Sequence, residues 1–492
     1  MILHIAIKEI YHNLTTLRFA LMIILLPILF VVNALMYSLG GDGYMVQVNA
    51  YNRQGTEQTK HITSSANRSL AELALVGPGE ISKSPSRLTF CADGADAQIP
   101  RSVKMVSGGS WSRTGQHETE DYEWTPPWTL EYPLQSKTRS AMQRIKIDWV
   151  FIGILMSFFA ILFTFDAIAG ERTRGTLSLI MSNTISRGQV LLGKYLGAFL
   201  TLMVPLVIGI LMNLLFILLS GNIPFASEDW LKIFGMVAVF ALHLSIFIFL
   251  GLFFSSRVSN PITSLVWLLL TWVCLAFVFP SLLGTFVGNL NPILSVDEVS
   301  MQKEAQLGQL RDKFRPHGGA SPYNGLGETS SKLSKAASVE NPEATHLWAD
   351  YFTREMETKT RFADGQIDSQ FRQVQLARDL TQISPIATFQ YAMEGLANTG
   401  IVSYMNFVKQ ARRYRQTFID FIKAEDRSDP ESLHIYPVKE GLSQKPVDPD
   451  AVPVFEERVS YRSVLSQVGL LVLFNLLFFI VAQVSFLMSE IK

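Results

Sequence analysis

Six stretches of this chain, 19–39, 149–169, 195–219, 230–254, 262–285 and 464–488, are each at least 20 residues long and almost free of charge. Crossing the hydrocarbon core of a bilayer takes about 20 apolar residues. Lipid offers no partner for backbone N–H and C=O groups, so each stretch must be a helix. Only 17% of residues are charged, but that average hides a division between apolar runs and ordinary polar sequence. Trp149, Tyr195 and Trp230 stand at span ends, where amphipathic rings favour the headgroup level. The expected fold is a mainly α polytopic membrane protein of six transmembrane helices. A strand-rich outer domain follows the first span, and a largely helical outer domain precedes the sixth.

Six spans place both termini on one side. On that side lie 1–18, 166–194, 255–260 and 489–492, with eight Lys or Arg against four Asp or Glu. The short loop 220–229 on the other side has no Lys or Arg. Cytoplasmic connections are the basic ones, so both termini of this multi-pass protein are expected in the cytoplasm. The chain then divides into 1–39 (interfacial helix and first span), 40–148 (strand-rich outer domain), 149–285 (spans two to five), 286–463 (mainly helical outer domain) and 464–492 (sixth span and tail). In 2–17, apolar Ile2, Ile5, Ala6, Ile10 and Leu14 recur at helical spacing opposite Lys8, Glu9, His12 and Asn13, as in a helix lying in the membrane interface. Residues 19–39 are longer than the apolar region of a cleavable leader and are expected to be retained.

In the first outer part, YMVQVNAYN, SRLTFCA and SVKMV read as strands, with a short helix at 69–75 and an ordered loop at 123–133. The second outer part predicts a polar helix over 296–314, a loop over 315–341 and a long helix over 344–380 interrupted near Gly365. A break follows at Ser384-Pro385. Tyr404, Phe407, Val408, Ala411, Tyr414, Phe418 and Ile422 mark an amphipathic helix whose apolar face must pack on something. Residues 429–453 carry five prolines and read as an extended strap.

Several function classes fall away. Zero net charge gives no field for nucleic acid. Cys91 and Cys274 have no metal-ligand spacing, and Cys274 lies in an apolar run, so no disulfide is expected between them. Gly188 to Lys194 matches G-x4-G-K, but Tyr195 stands where a phosphate loop needs Ser or Thr, and no strand precedes it. His243 is the titratable group deep in a span, with Asn33 and Asn213 as neutral companions. A lone histidine in a packed bundle reads as structural, so ion-coupled transport is disfavoured. No hydrolase elbow or H-E-x-x-H occurs.

The remaining signal is the connection between the second and third spans, DAIAGERTRGTLSLIMSNTISRGQVLLGKYLGAF. It resembles the corresponding connection of ABC transporter permeases of the ABC-2 type. Gly170, Glu171, Arg174, Gly175, Thr176, Leu177, Ser186, Arg187, Gly193 and Lys194 match that pattern, while Thr184-Ile185 departs from it where a proline is expected. The resemblance covers the six spans and the amphipathic start, and the two outer insertions look like those of a bacterial subgroup. It implies the permease subunit of an ATP-driven exporter in a bacterial inner membrane, a subunit that is not itself an enzyme and holds no cofactor. ATP and Mg would bind in separate cytoplasmic ABC ATPase subunits. Further partners would be a second permease copy or homologue, the lipid bilayer and an extracytoplasmic partner. By that resemblance the coupling loop 166–194 docks on the ATPase through Gly170, Glu171, Arg172, Arg174, Gly175, Thr176, Leu177, Ser186 and Arg187. The alternative is a non-transporting transmitter of ATPase motion to an outer partner. No substrate follows from either reading.

Overall fold

The computed structural model describes residues 2–39, 43–94, 99–106, 129–132, 147–182, 185–221, 223–290, 292–314, 342–436, 441–459 and 461–489. In chain order, α1 (Ile2–Leu14) precedes the first span, α2 (Leu17–Leu39). Then come α3 (Tyr44–Ala66), α4 (Leu70–Val76), β1 (Glu80–Ser82), β2 (Ser102–Val106) and β3 (Thr129–Glu131). The second span, α5 (Trp149–Thr164), leads to two short helices, α6 (Ala169–Thr173) and α7 (Thr176–Met181). Spans three and four are α8 (Arg187–Leu219) and α9 (Ser227–Arg257). Span five runs through α10 (Pro261–Val273), a π-helical turn (Cys274–Val278) and α11 (Phe279–Leu290). Outer helices α12 (Val296–Phe314), α13 (Pro342–Thr381), α14 (Pro385–Ala397) and α15 (Gly400–Ser428) precede the sixth span, α16 (Arg462–Met488). Six of these segments are long and apolar enough to cross a membrane, and the chain is a multi-pass, mainly helical protein with one small sheet.

The spans cannot be held together as a soluble core is, because lipid tails are as apolar as the side chains they would replace. Close backbone approach takes over that role. Gly209 of α8 receives the Phe30 ring of α2, Gly251 of α9 receives Thr164 of α5, and a Cβ at either position would collide. Polar side chains supply the rest. Asn213 of α8 donates to Phe30 O (2.6 Å) and to Asn33 Oδ1 of α2 (2.7 Å). Asn33 in turn donates to Phe90 O (3.0 Å) and Ile147 O (2.6 Å), and Trp149 donates to Asn213 Oδ1 (3.3 Å). The two asparagines thus fasten spans one, two and three to the first outer part.

That outer part shares a core with the second. Ile62 and Leu73, the inward strand residues Ile81, Val103 and Leu130, and Phe407, Phe418 and Ile422 of α15 form one buried cluster. β2 pairs antiparallel with both β1 and β3. The amphipathic stripe expected over 404–422 is therefore covered by the sheet and by α3 and α4.

The hairpin of α13 and α14 descends from this outer region into the bundle. Ser384 caps α14 and donates to Leu275 O in the π turn of span five (2.7 Å). Phe389 stacks on His243 of α9 at 4.1 Å and meets Gly153 of α5. His243, fully buried at the middle of α9, serves as packing surface for α14. Buried Arg378 and Glu394 pair across the hairpin at 2.8 Å, and Arg378 lies 3.7 Å over the Tyr391 ring.

Several local expectations change. YMVQVNAYN is not a strand but the start of α3. Its alternation ends within nine residues, whereas Tyr44, Ile62 and Ala66 are buried on one helical stripe. SRLTFCA forms turns; Leu88, Phe90 and Cys91 are apolar because they seal the bundle, and Phe90 meets the Trp149 ring edge-on. α13 runs unbroken through Gly365, since one glycine costs a helix only about 1 kcal/mol. The SVKMV strand, the helix near 69–75 and the break at Ser384 are as expected. The loop expected over 315–341 and most of 123–133 lie outside the described residues. Cys91 and Cys274 are unpaired thiols.

Arg378→Met leaves Glu394 buried without its cation and should destabilise the solubilised protein by about 3–5 kcal/mol in thermal or denaturant unfolding, with much of the loss recovered in Arg378→Met/Glu394→Leu. Asp148, the N-cap of α5, is held between the Phe151 and Asp93 N–H groups. Burial, with repulsion from Asp93 and Glu394, outweighs those two bonds and raises its carboxyl to about 6. Because the folded value exceeds the unfolded one, its contribution is fully present below about pH 4 and lost as pH rises through 6. The melting-temperature difference between wild type and Asp148→Asn should therefore change between pH 4.5 and 7.5 and stay flat above.

Candidate coupling site

Within the connection, the described stretch 166–182 is bonded to α9 and paired with α1 and α8. After α5 the chain turns, and the N–H groups of Ile168 and Ala169 both donate to Ser255 Oγ on α9 (2.9 and 3.0 Å). These are the first, otherwise unpaired donors of α6. Arg172 donates to Ser256 O (3.1 Å) and Thr173 to Ser259 O (3.3 Å). The chain reverses between α6 and α7 at Gly175, whose φ of 72° belongs to the left-handed region that glycine enters without strain. α7 is anchored by Leu177, which is 1% exposed within the bundle core.

The centre of the arrangement is Lys194, two turns into α8 and 2% exposed. Its Nζ lies 3.0 Å from Glu171 Oε2 of α6 and 3.4 Å from Glu9 Oε2 of α1. Lys8, on the surface, balances the second carboxylate at 3.5 Å from Glu171 Oε1. α1 comes this close because Gly193 and Gly197 flank Lys194 on α8; a Cβ there would strike Ile5 and Glu9. At the rim, Arg18 pairs with Asp166 (3.4 Å), donates to Leu162 O (2.5 Å) and lies over the Phe165 ring. The N-terminal helix, the connection and the third span thus meet on a single buried ammonium.

The nine residues expected to dock a partner divide into two groups. Glu171 is buried in the ion cluster, and Leu177 in the core. Gly170 accepts the Arg174 Nε bond, and Thr176 donates to Glu171 O. Ser186 and Gln189 form a reciprocal cap on α8. Arg187 donates to the last carbonyls of α16, those of Phe486 (3.3 Å), Leu487 (2.5 Å) and Ser489 (3.1 Å), where a cation suits the helix dipole. Of the nine, Arg174, Gly175 and Ser186 are exposed; beside them, outside the expected set, are Thr173, Ser178 and Leu179, the last 68% exposed. Of the departure at Thr184-Ile185, Thr184 lies outside the described residues, and Ile185 packs against the core.

Sequence reasoning missed Glu9 and Ser255, and took Lys194 only as a match to the family pattern, without its buried ion pairs. Glu9 was assigned to the solvent face of α1, yet the stripe packed on α8 is Ala6, Glu9 and Asn13. The available signal was the G-x-x-x-G spacing of Gly193 and Gly197 around a charge at a span end, a pattern for close helix approach. The G-x4-G-K match is not a phosphate loop: Gly188 to Lys194 is helical throughout, and its lysine is ion-paired.

A family model described as ABC-2 family transporter protein matches residues 3–491. The chain belongs to that family. It is also similar over 55 residues to the probable ABC transporter permease protein NosY of Pseudomonas aeruginosa (47% identical) and of Stutzerimonas stutzeri (46%). Those segments cover 11% of this chain and 20% of either relative.

Lys194→Met would leave Glu9 and Glu171 buried together without the ammonium between them. We expect a loss of about 3–5 kcal/mol, read as a lowered melting temperature, and faster proteolysis between α1 and α2. Lys8→Met, at the exposed edge, should shift stability by less than about 1 kcal/mol.

Proposed function

We propose that this chain is the permease subunit of an ATP-driven exporter in the cytoplasmic membrane. Separate cytoplasmic ABC ATPase subunits power it, and it works beside a second copy or homologue. The observation that carries this reading is the stiff connection. α6 and α7 are bonded to α9, paired to α1 and α8, and anchored by Leu177, while Leu179 and Arg174 project outward. An element that receives force from a partner needs that combination of rigid backing and accessible anchor. Its exposed part is one apolar side chain beside a guanidinium, suited to a groove with an acidic rim. In this reading Glu171, Arg172, Leu177 and Arg187 position the handle, and Arg174, Ser178 and Leu179 touch the ATPase. ATP and Mg belong to the partner. Membership of the family and the Lys/Arg balance support the assignment of the terminal face to the cytoplasm.

The second reading, a transmitter that moves no cargo, is favoured by the α13–α14 hairpin. It inserts α14 between spans two, four and five, while Phe371 of α13 belongs to the shared outer core, so that motion of the spans would reach the outer face without an open path. ATP-dependent cargo movement in reconstituted vesicles rules that reading out.

Leu179→Asp and Arg174→Glu should each lower co-purification of the ATPase from native membranes at least tenfold, with the permease's melting temperature unchanged. Retained association in both variants, with hydrolysis still coupled, overturns the docking assignment.

A further inference from the structure

The outer domain holds an open cavity of about 500 Å³ between α3 and β1. Along α3 it runs from Tyr51 to Lys60, about 14 Å at the helical rise. That matches about four residues of an extended strand. Its other walls are Glu80 and Ser82 of β1, together with Phe455. An added Cβ at Gly55 meets no atom within 4 Å, so the middle of the cavity is open space. Two bonds hold helix and strand at a fixed separation: Ser82 Oγ donates to Gln54 Oε1, and Gln58 Nε2 donates to Pro78 O, both at 2.7 Å.

The register of the sheet determines what β1 presents there. Lys83 N donates to Arg101 O and Met105 N to Gly79 O, and Ile81 lies opposite Val103. Residues 79, 81 and 83 therefore turn their backbone groups toward β2. In an antiparallel ladder the alternate residues turn theirs the other way. The N–H and C=O groups of Glu80 and Ser82 consequently point away from β2. Among the described residues they make no hydrogen bond, and β1 is an edge of its sheet. An unpaired edge beside a preformed groove is a template for another strand.

We propose that this groove docks an extended peptide segment of a partner protein on the outer side, adding a fourth strand along β1. Main-chain bonds to Glu80 and Ser82 would hold it. Its alternate side chains would face the floor made by Gly55, Tyr51 and Phe455, so those positions are apolar. The lining carries one cation, Lys60, and one anion, Glu80, so a segment without net charge suits it. The partner would thereby be attached to the domain whose core continues into α13 and α15.

The test uses purified full-length protein in nanodiscs and a fluorescent six-residue peptide of alternating threonine and valine, followed by anisotropy. Saturable binding is expected, weakened at least tenfold when alternate peptide nitrogens are methylated, because the main-chain donors are then lost. Ser82→Pro removes an outward N–H and leaves the ladder to β2 intact; it should weaken binding at least tenfold beyond Ser82→Ala, which loses only the Oγ bond to Gln54. Gly55→Leu fills the open space and should do the same, which keeps the test valid if the proline variant folds poorly. Absence of binding at millimolar peptide overturns the proposal, as does equal binding of the methylated peptide or binding unchanged by Gly55→Leu.

Discussion

A lysine ammonium cannot stay buried at the end of a membrane span unless carboxylates surround it. Much of the terminal face of this protein is arranged to satisfy that requirement at Lys194. Glu9 must come from α1, so α1 lies directly on α8, and glycines at 193 and 197 admit it. Glu171 must come from α6, so the connection folds back under the bundle. Once α6 is there, its unpaired N–H groups meet Ser255 and its arginine meets the end of α9. A plain apolar contact would hold these helices at similar cost. It would not fix their register, because apolar surfaces slide where charged pairs do not.

The opposite end is built on different chemistry. Asn33 and Asn213 are neutral, and their bonds reach backbone carbonyls of the outer part, which adds polar fastening without a charge to desolvate. The hairpin of α13 and α14 then inserts aromatic surface, with Phe389 lying between Gly153 and His243. The bundle is consequently clamped by the Lys194 ion cluster at the terminal face, and at the other by amides and rings with the Arg378–Glu394 and Arg87–Asp229 pairs beside them. The fifth span stands apart. Only Ser264 and Leu268 of α10 and Val287 of α11 are buried, and the π turn between those helices is bonded to Ser384. The span least attached to its neighbours carries an irregular turn, a feature often found at functional positions.

The spans were legible in the sequence because lipid imposes a length and a composition that nothing else in a chain imitates. The stripe from Tyr404 to Ile422 was legible for a related reason, since its burial is periodic and continues over five turns. The α3 helix was misread because a few alternating valines outweighed a longer, weaker helical pattern. For the coupling site, the motif located the connection but not its two short helices, and it could not rank its own arginines. Arg172 and Arg187 bind carbonyls 84 and about 300 residues away, and Glu9 meets Lys194 across 185 residues. Partners that distant leave no spacing to read.

The division between buried and exposed members of the motif has a mechanical consequence. A side chain that contacts a moving partner transmits force only if its own backbone does not yield. A six-residue helix such as α7 is far too short to be stable alone. It gains stiffness from Leu177 below it and from α6, which is tied to three other helices. Glu171, Arg172 and Arg187 lie on the inner side of the handle, and Arg174 and Leu179 are the long side chains that face outward, among small Thr173, Gly175 and Ser178. A force applied at Leu179 would be carried by α7 to α6, and from there through the Glu171–Lys194 pair to α8 and, by Glu9, to α1.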